Sequence, residues 1–285
     1  MWILFTLLNP VSEALRSVFI KRASGNVDPI LISWSNNVIP IIIFPPMLLL
    51  IDLEFNTQFW IGFLGSGIIQ VINTVLYMRA ISKGDISTVM PMLSFTPLIL
   101  LITSPLTIGE FPTTVGLLGI LLVVSGSYLL NIDLKKMNPL EPFRAIIKNK
   151  GTRYMLVVAT LWGVSGVFDK ISITNSSVLQ HITFMNILVF GSMTVLVLSQ
   201  KKFNLSKMKE TKADLFLVSL FTTGSFLFHY IAISLTLVAY VVSIKRIAGV
   251  FSVLLGAYYF NEPNLRQRLL ASIVMFIGVL LIVFS

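Results

Sequence analysis

Residues 238–263 read VAYVVSIKRIAGVFSVLLGAYYFNEP, an apolar run of membrane-spanning length that carries two adjacent cations, Lys245 and Arg246. A charge near the centre of a bilayer costs from about 2.5 to more than 10 kcal/mol, so it normally faces a cavity or a partner. A helix over 238–260 would place both cations roughly 4 to 6 Å from its midpoint, near Gly249. The pattern predicts an anion-binding site. In the alternative, both side chains reach the nearer membrane surface or pair internally.

The composition places the whole chain in a membrane. Of its 285 residues 55% are hydrophobic and 12% are charged, and the mean hydropathy is +0.89. These values are typical of an integral membrane protein with several helices. Although the net charge is +9, the basic residues lie in short loops between apolar runs, which indicates membrane orientation and not nucleic-acid binding.

The residue types also restrict the chemistry. The chain has no cysteine, which excludes disulfides, iron–sulfur clusters and thiol catalysis. It has two histidines and no GxSxG, HExxH or GxxxxGK[ST] motif, so we expect neither an enzyme nor a bound cofactor or metal. A membrane-embedded hydrolase is the enzymatic alternative, and it lacks the residues it would need.

Apolar windows of about 20 residues, separated by polar or Pro/Gly breaks, predict an all-α integral membrane fold with ten transmembrane helices. The predicted ranges are 2–20, 29–51, 58–79, 86–108, 113–131, 153–172, 178–199, 213–235, 238–260 and 265–284. A connecting loop at 132–152 divides them into a first half, 1–131, and a second half, 153–285.

The two halves are similar in sequence. A shift of 152 positions without a gap aligns Glu110 with Glu262 and Gly126 with Gly278. Because each half holds an odd number of predicted helices, the second half would enter the membrane from the opposite side. This predicts two inverted five-helix repeats, an architecture of secondary transporters.

The loops predict an orientation. The loops after odd-numbered helices hold 17 Lys and Arg residues, whereas the other side holds Lys170 alone. We call these two sides the basic face and the opposite face. The positive-inside rule puts the basic face in the cytoplasm and both termini outside.

Glu13 and Arg16 lie three residues apart in the first predicted helix, so they share one face and can pair. In one hypothesis Glu13 carries a coupling proton, which is a common role of a carboxylate inside a membrane. In the other it is a permanent neutralising partner of Arg16, Lys245 or Arg246.

Further polar and aromatic residues within predicted spans are candidates for orienting a solute. These are Gln70, Asn73, Trp162, His229 and Tyr230. The alternative for each is a hydrogen bond between helices that only supports packing. His181, near a helix end, is predicted to be interfacial. Glu110 and Glu262 are predicted to be structural, because a carboxylate stabilises the positive start of a helix.

Prolines and glycines suggest where helices bend and meet. The fourth predicted helix contains three prolines, Pro91, Pro97 and Pro105, whose kinks either line a path or shape packing. Four glycines are expected to permit close helix contacts: Gly65, Gly119, Gly126 and Gly278.

Three segments resemble a known family. They are YMRAISKGDISTVMPMLSFTPLILLITSPLTIGE at 77–110, LWGVSGVFDK at 161–170 and IKRIAGVFSVLLGAYYFNEP at 244–263. The chain is similar to the drug/metabolite transporter superfamily, and specifically to its EamA-type ten-helix members. Lys245 and Arg246 are also similar to the phosphate-binding pair of triose-phosphate translocators. The first helix departs from the family, with Asn9-Pro10 where relatives often have Trp-Gly, and many relatives place both termini in the cytoplasm.

The resemblance and the buried charges together predict a secondary active transporter of a small anionic or zwitterionic metabolite that works by alternating access. Its expected partners are that metabolite, the lipid bilayer and protons as the coupling ion. We expect a multi-pass protein of the cell membrane, in particular of a bacterial inner membrane. The alternative is a membrane sensor or assembly subunit that does not transport.

Overall fold

The structure is a computed structural model that describes residues 1–84, 86–132, 138–251 and 265–285. The described residues form helices and turns and include no strand. Eight helical segments in this part of the chain are long and apolar enough to cross a membrane, and a shorter apolar helix covers Gln267–Val283. The predicted all-helical membrane fold is therefore confirmed. Part of the ninth predicted helix, 252–260, lies outside the described residues.

We number the α-helices in chain order. They are α1 Trp2–Ala23, α2 Pro29–Ser35, α3 Val38–Met47, α4 Thr57–Lys83, α5 Ile86–Val89, α6 Thr96–Ile108, α7 Thr114–Asn131, α8 Glu141–Lys148, α9 Lys150–Thr174, α10 Val178–Ser199, α11 Leu205–Glu210, α12 Lys212–Leu235, α13 Val238–Lys245 and α14 Leu265–Val283.

Helix starts follow the capping residues in the sequence. The side chain of Asn149 accepts hydrogen bonds from the backbone N–H groups of Gly151 and Thr152, so α9 begins three residues before its predicted start. Ser177 caps α10 in the same way through the N–H of Gln180. Within the predicted connecting loop, 132–152, the structure has the short helix α8.

The second predicted helix is interrupted after α2. Pro40 has no N–H with which to reach the carbonyl of Asn36. The hydroxyl of Ser219, on α12, lies at this gap, accepting from the N–H of Ile39 at 2.8 Å and donating to the carbonyl of Asn36 at 3.2 Å. A neighbouring helix therefore satisfies backbone groups that the break releases.

The fourth predicted helix is also interrupted. A 3₁₀ segment, Met90–Phe95, lies between α5 and α6, and Pro91 and Pro97 stand in the first turns of the 3₁₀ segment and of α6. Each proline removes one backbone donor, so a regular α-helical hydrogen-bond pattern cannot run through this stretch.

The prediction of one continuous helix over 238–260 is wrong at its centre. Helix α13 ends at Lys245, and the next two amides bond three residues back, from Arg246 to Ser243 at 3.0 Å and from Ile247 to Ile244 at 2.9 Å. Helical residues resume at 248–251. Lys245 and Arg246 therefore lie at a break in a membrane segment, where the backbone geometry changes.

Three helix pairs form the largest contacts of the bundle: α4 with α9, α1 with α12, and α7 with α14. A Cβ on Gly119 would lie 2.6 Å from the carbonyl of Gly278, and one on Gly126 would lie 2.8 Å from that of Ala271. On Gly65 it would lie 2.7 Å from the ring of Phe168. The glycines therefore let the helices approach closely, as predicted.

Candidate functional site

Lys245 and Arg246 lie at the break after α13 and are partly buried. Among the described residues, neither side chain has a hydrogen-bond or ion-pair partner, and the Nε atom of Arg246 is buried without one. Both cations are close enough to Glu13 to interact with it electrostatically. The helix break thus brings two unpaired positive charges towards α1.

Glu13 and Arg16 form an ion pair on α1. The other carboxylate oxygen of Glu13 accepts a hydrogen bond from the hydroxyl of Ser225, on α12, at 2.8 Å. Asn9 donates to the backbone carbonyl of Ser225 at 2.7 Å, which completes the link between α1 and α12. The geometry supports the role of Glu13 as a permanent ion partner, because a guanidinium does not release its proton in proteins.

Gln70, Asn73 and Tyr77 lie on one face of α4, at spacings of three and four residues. The indole N–H of Trp162 donates to Gln70 at 3.3 Å, and its ring centre is 5.9 Å from that of Tyr77. Asn73 is buried, and neither its amide oxygen nor its nitrogen has a partner among the described residues.

Tyr77 connects this face of α4 with the charged residues of α1, since both Glu13 and Arg16 interact with it electrostatically. Tyr77 was not among the residues predicted from the sequence. Its position one helical turn after Asn73, within an apolar span, is a signal that could have identified it.

His229 and Tyr230 are neighbours on α12 but face different groups. His229 lies within electrostatic range of Lys245 and Arg246, and its Nδ1 atom is buried without a partner. Tyr230 instead contacts the ring of His181 edge-on, with ring centres 4.8 Å apart. The structure therefore brings His229, but not the ring of Tyr230, towards the cations.

A second polar cluster was not predicted. It contains Ser66 of α4, Asp169 and Ser172 of α9, and His181 of α10, and we call it the Asp169–His181 cluster. His181 lies near a helix end, in the first turn of α10, and is completely buried. The first turn of α10 faces α9, so the imidazole points into the bundle and not along the membrane surface.

The side chains of this cluster contact one another directly. Oδ1 of Asp169 accepts a hydrogen bond from the hydroxyl of Ser66 and lies 3.2 Å from Nε2 of His181, without hydrogen-bond alignment. Nδ1 of His181 is 2.8 Å from the hydroxyl of Ser172. Asp169 lies inside an otherwise apolar run, which is the same sequence signal for a functional site that Glu13 gives.

Lys170 connects three segments at the opposite face. Its ammonium donates to the carbonyls of Ile233 and Thr236, at the end of α12, at 2.6 and 3.0 Å. It also lies 3.3 Å from Glu110, whose second oxygen accepts from the N–H of Val238 at 2.9 Å. We call this set of contacts the opposite-face tie.

Glu110 therefore has a structural contact, as predicted, but the helix start it binds is that of α13 and not that of the following helix, α7. Glu262, its predicted counterpart, lies outside the described residues.

A separate cavity of about 510 Å³ opens on the basic face and contains none of the predicted site residues. Its lining residues are Lys83, Thr88, Glu141, Ala145, Lys148, Asn149 and Lys150. Within the described ranges, no three His, Asp or Glu residues are grouped closely enough to hold a metal ion.

These features define a multi-pass helical membrane protein with interrupted spans and buried charges, a class that includes many transporters. The chain belongs to the EamA-like transporter family, whose profile matches it twice, over residues 1–132 and 149–284. This confirms the resemblance to the drug/metabolite transporter superfamily that we described from the sequence.

The fold is similar to that of a solved structure titled "Crystal structure of protein". That structure matches with a TM-score of 0.78 and covers 99% of this chain and 97% of its own, at 12% sequence identity. At this identity the similarity concerns the fold alone. No curated protein sequence matches the chain.

Proposed function

We propose that this protein is a secondary active transporter that moves a small anionic or zwitterionic metabolite by alternating access. The observation that carries the proposal is the pair of partly buried cations at the helix break, Lys245 and Arg246, which have no direct partner among the described residues. Since Arg16 already neutralises Glu13, these two charges are left for a solute. A guanidinium presents planar donors suited to carboxylate or phosphate, and an ammonium adds a mobile point charge.

Unsatisfied polar atoms support a polar solute. Nε of Arg246, Nδ1 of His229 and both polar atoms of Asn73 are buried without protein partners in the described part of the chain. An unpaired buried polar group costs about 1 to 3 kcal/mol, so such groups normally bind water or a ligand. We assign Lys245, Arg246, His229 and Asn73 to solute contacts, and Gln70 and Trp162 to the wall beside them.

We further propose that the chain consists of ten spans in two inverted repeats. The shift of 152 residues maps α1 onto α9, α4 onto α12, and α7 onto α14. It therefore maps the contact of α1 with α12 onto that of α9 with α4, and both are among the largest in the bundle. It also maps the close approach of Gly119 and Gly278 onto that of Ala271 and Gly126.

The helix breaks support the same relation. The shift places the 3₁₀ segment, Met90–Phe95, on 242–247, and thus Ser94 on Arg246. Interrupted helices at corresponding positions of two repeats typically flank the solute site of a transporter. We therefore place the solute between the break after α13 and the 3₁₀ segment before α6.

Alternating access requires that each face open in turn. The opposite-face tie joins the first half, through Glu110, to α9, α12 and α13 of the second half. We propose that these contacts break when the opposite face opens. A bacterial inner membrane and protons as the coupling ion stay predictions.

The experiment that tests the proposal is a thermal-shift screen of purified protein. The panel contains carboxylates, phosphates and amino acids, with size-matched neutral and cationic compounds as controls. A solute at 100 times its dissociation constant stabilises the folded state by about 2.7 kcal/mol. Compounds that stabilise are then tested for uptake into proteoliposomes. Stabilisation by cationic compounds alone, or binding without uptake, would contradict the proposal.

A further inference from the structure

Apart from Asp214, which lies in the first turn of α12 and pairs with Arg22, the described membrane spans contain two carboxylates, and these have different partners. Glu13 is paired with Arg16, whose charge is permanent. Asp169 is paired with His181, and an imidazole is the side chain that ordinarily changes charge between pH 5 and 8. Only the second pair can therefore exchange a proton without leaving a fixed, buried cation unpaired.

We propose that the Asp169–His181 cluster is the site that binds the coupling proton. The proposal rests on the transport function above and assigns its coupling ion to residues other than Glu13. Asp169 Oδ1 and His181 Nε2 are 3.2 Å apart and lie in the interior of the bundle, at the junction of α4, α9 and α10.

The hydrogen bonds around the imidazole can adapt to either protonation state. Nδ1 of His181 is 2.8 Å from the hydroxyl of Ser172, which is fully buried. A hydroxyl can donate to a neutral ring nitrogen or accept from a protonated one. His181 can therefore gain a proton at this position without losing its partner, because only the hydroxyl hydrogen of Ser172 has to rotate.

Each helix that packs against the Asp169–His181 cluster places a different group beside it. From α4 the neighbour is Ser66, which has no charge. From α12, Tyr230 contacts the imidazole directly and His229 interacts with it electrostatically. From α13, Lys245 interacts electrostatically with Asp169. On α9 itself the next residue is Lys170, which is engaged by Glu110 and two carbonyls.

The position of Asp169 links proton binding to the contacts that close the opposite face. Asp169 and Lys170 are consecutive on α9, and Lys170 holds the opposite-face tie. A proton that neutralises Asp169 or charges His181 alters the contacts of α9 with α4 and α10 within one turn of the tie. It thereby shifts the equilibrium between closed and open states of that face, as a coupling ion must.

The first test measures proton binding and needs no solute. The protein has only two histidines, so ring-labelled histidine gives two NMR signals, and His229→Gln assigns the signal of His181. We expect the signal of His181 to shift with pH as the ring gains a proton. In Asp169→Asn its proton affinity should fall about tenfold or more, because the neighbouring negative charge is lost. The matched control is Asp214→Asn, which removes a carboxylate paired with Arg22 near the basic face and should leave the titration unchanged.

The second test measures coupling and uses the absence of native cysteines. Ser234→Cys, a near-isosteric change beside the carbonyls that Lys170 binds, is labelled with a membrane-impermeant maleimide in vesicles held at pH 5.5 or 8 on both sides. The labelling rate, corrected for thiolate ionisation with a model thiol, should differ at least threefold between the two pH values. Asp169→Asn and His181→Gln should abolish this difference, whereas Asp214→Asn should retain it.

Each result is decisive. A His181 signal that does not titrate, or labelling that keeps its pH dependence in both cluster variants, overturns the proposal. If a variant fails to fold, the titration of the otherwise unaltered protein decides the question. Failure of the anion screen would instead overturn the proposed solute, since neither proton test contains an anionic metabolite.

Discussion

Lys245 and Arg246 are partly buried cations for which the described part of the protein supplies attraction at a distance but no direct partner. Such residues reduce the stability of the empty protein, because burial removes their hydration without a compensating contact. They are retained in a protein when a ligand supplies the missing contact. The two side chains that lower the stability of the empty protein are therefore the ones that we expect to bind the solute.

The missing direct contacts of Lys245 and Arg246 predict how alanine variants behave. Lys245→Ala and Arg246→Ala should each weaken anion binding at least tenfold, while the melting temperature of the empty protein stays the same or rises. Arg246→Lys should also weaken binding, because an ammonium cannot reproduce the planar donor set of a guanidinium. The measurements are the melting temperature and the ligand-induced shift of each variant, with Lys202→Ala, at the surface, as the control.

A fall in melting temperature without any change in anion binding would show that the two cations belong to an internal network. In that case the solute site would have to lie elsewhere in the bundle.

Glu13 should behave in the opposite way, because its partner is fixed. Glu13→Gln leaves Arg16 without its carboxylate, and breaking a buried pair in this way costs about 3 to 5 kcal/mol. The double variant Glu13→Gln with Arg16→Gln should recover most of this loss. Chemical unfolding of the two variants measures the difference. A single variant as stable as the natural protein would contradict the ion-partner assignment.

At the scale of the element, helix α7 depends on glycine for its contact with α14. Gly119→Ala would place a methyl group 2.6 Å from a backbone carbonyl that cannot move independently of its helix. We expect this variant to be destabilised by about 1 to 3 kcal/mol, the usual range for overpacking.

The matched control lies in α10. A Cβ on Gly191 would meet no atom within 4 Å, so Gly191→Ala should be neutral or stabilising by up to about 1 kcal/mol, because alanine favours helix more than glycine. Thermal unfolding of both variants compares the same chemical change in a packed and an open position. Equal effects would show that intrinsic helix propensity, and not packing against α14, explains the role of Gly119.

At the scale of the whole molecule, the opposite face is closed by polar contacts between distant parts of the chain. Besides the tie made by Lys170, the side chain of Asn56 donates to the carbonyl of Asn175 at 2.8 Å, and Gln180 exchanges two hydrogen bonds with the backbone of Glu54. Since these contacts are made by side chains and not by the backbone hydrogen bonds of the helices, they can break without disrupting the helices themselves.

This arrangement predicts that weakening the tie opens the opposite face. Glu110→Gln removes the charge that holds Lys170 but keeps the size of the side chain. Labelling of Ser234→Cys from the opposite face should become at least threefold faster in this background. Asp214→Asn, a similar change at the basic face, should have no effect. Unchanged labelling in Glu110→Gln would mean that the tie does not control access.

The sequence by itself determined the membrane class, the family and the approximate position of nearly every helix. It could do so because apolar length, loop charge and proline or glycine positions are local properties of the chain. It also identified Glu13, Arg16, Lys245 and Arg246, since a charge inside an apolar run is visible without any neighbour.

The tertiary structure alone decided which of these charges are paired. It showed that Arg16 and not Lys245 contacts Glu13, that Glu110 reaches the start of α13, and that His181 lies buried beside Asp169. The contacts of Glu110 and His181 join residues that are far apart or differently oriented along the chain, and spacing alone allowed Glu13 more than one partner. The break after Lys245 was equally hidden, because no proline or glycine stands at 246–247 and the change in hydrogen bonding depends on the surrounding helices.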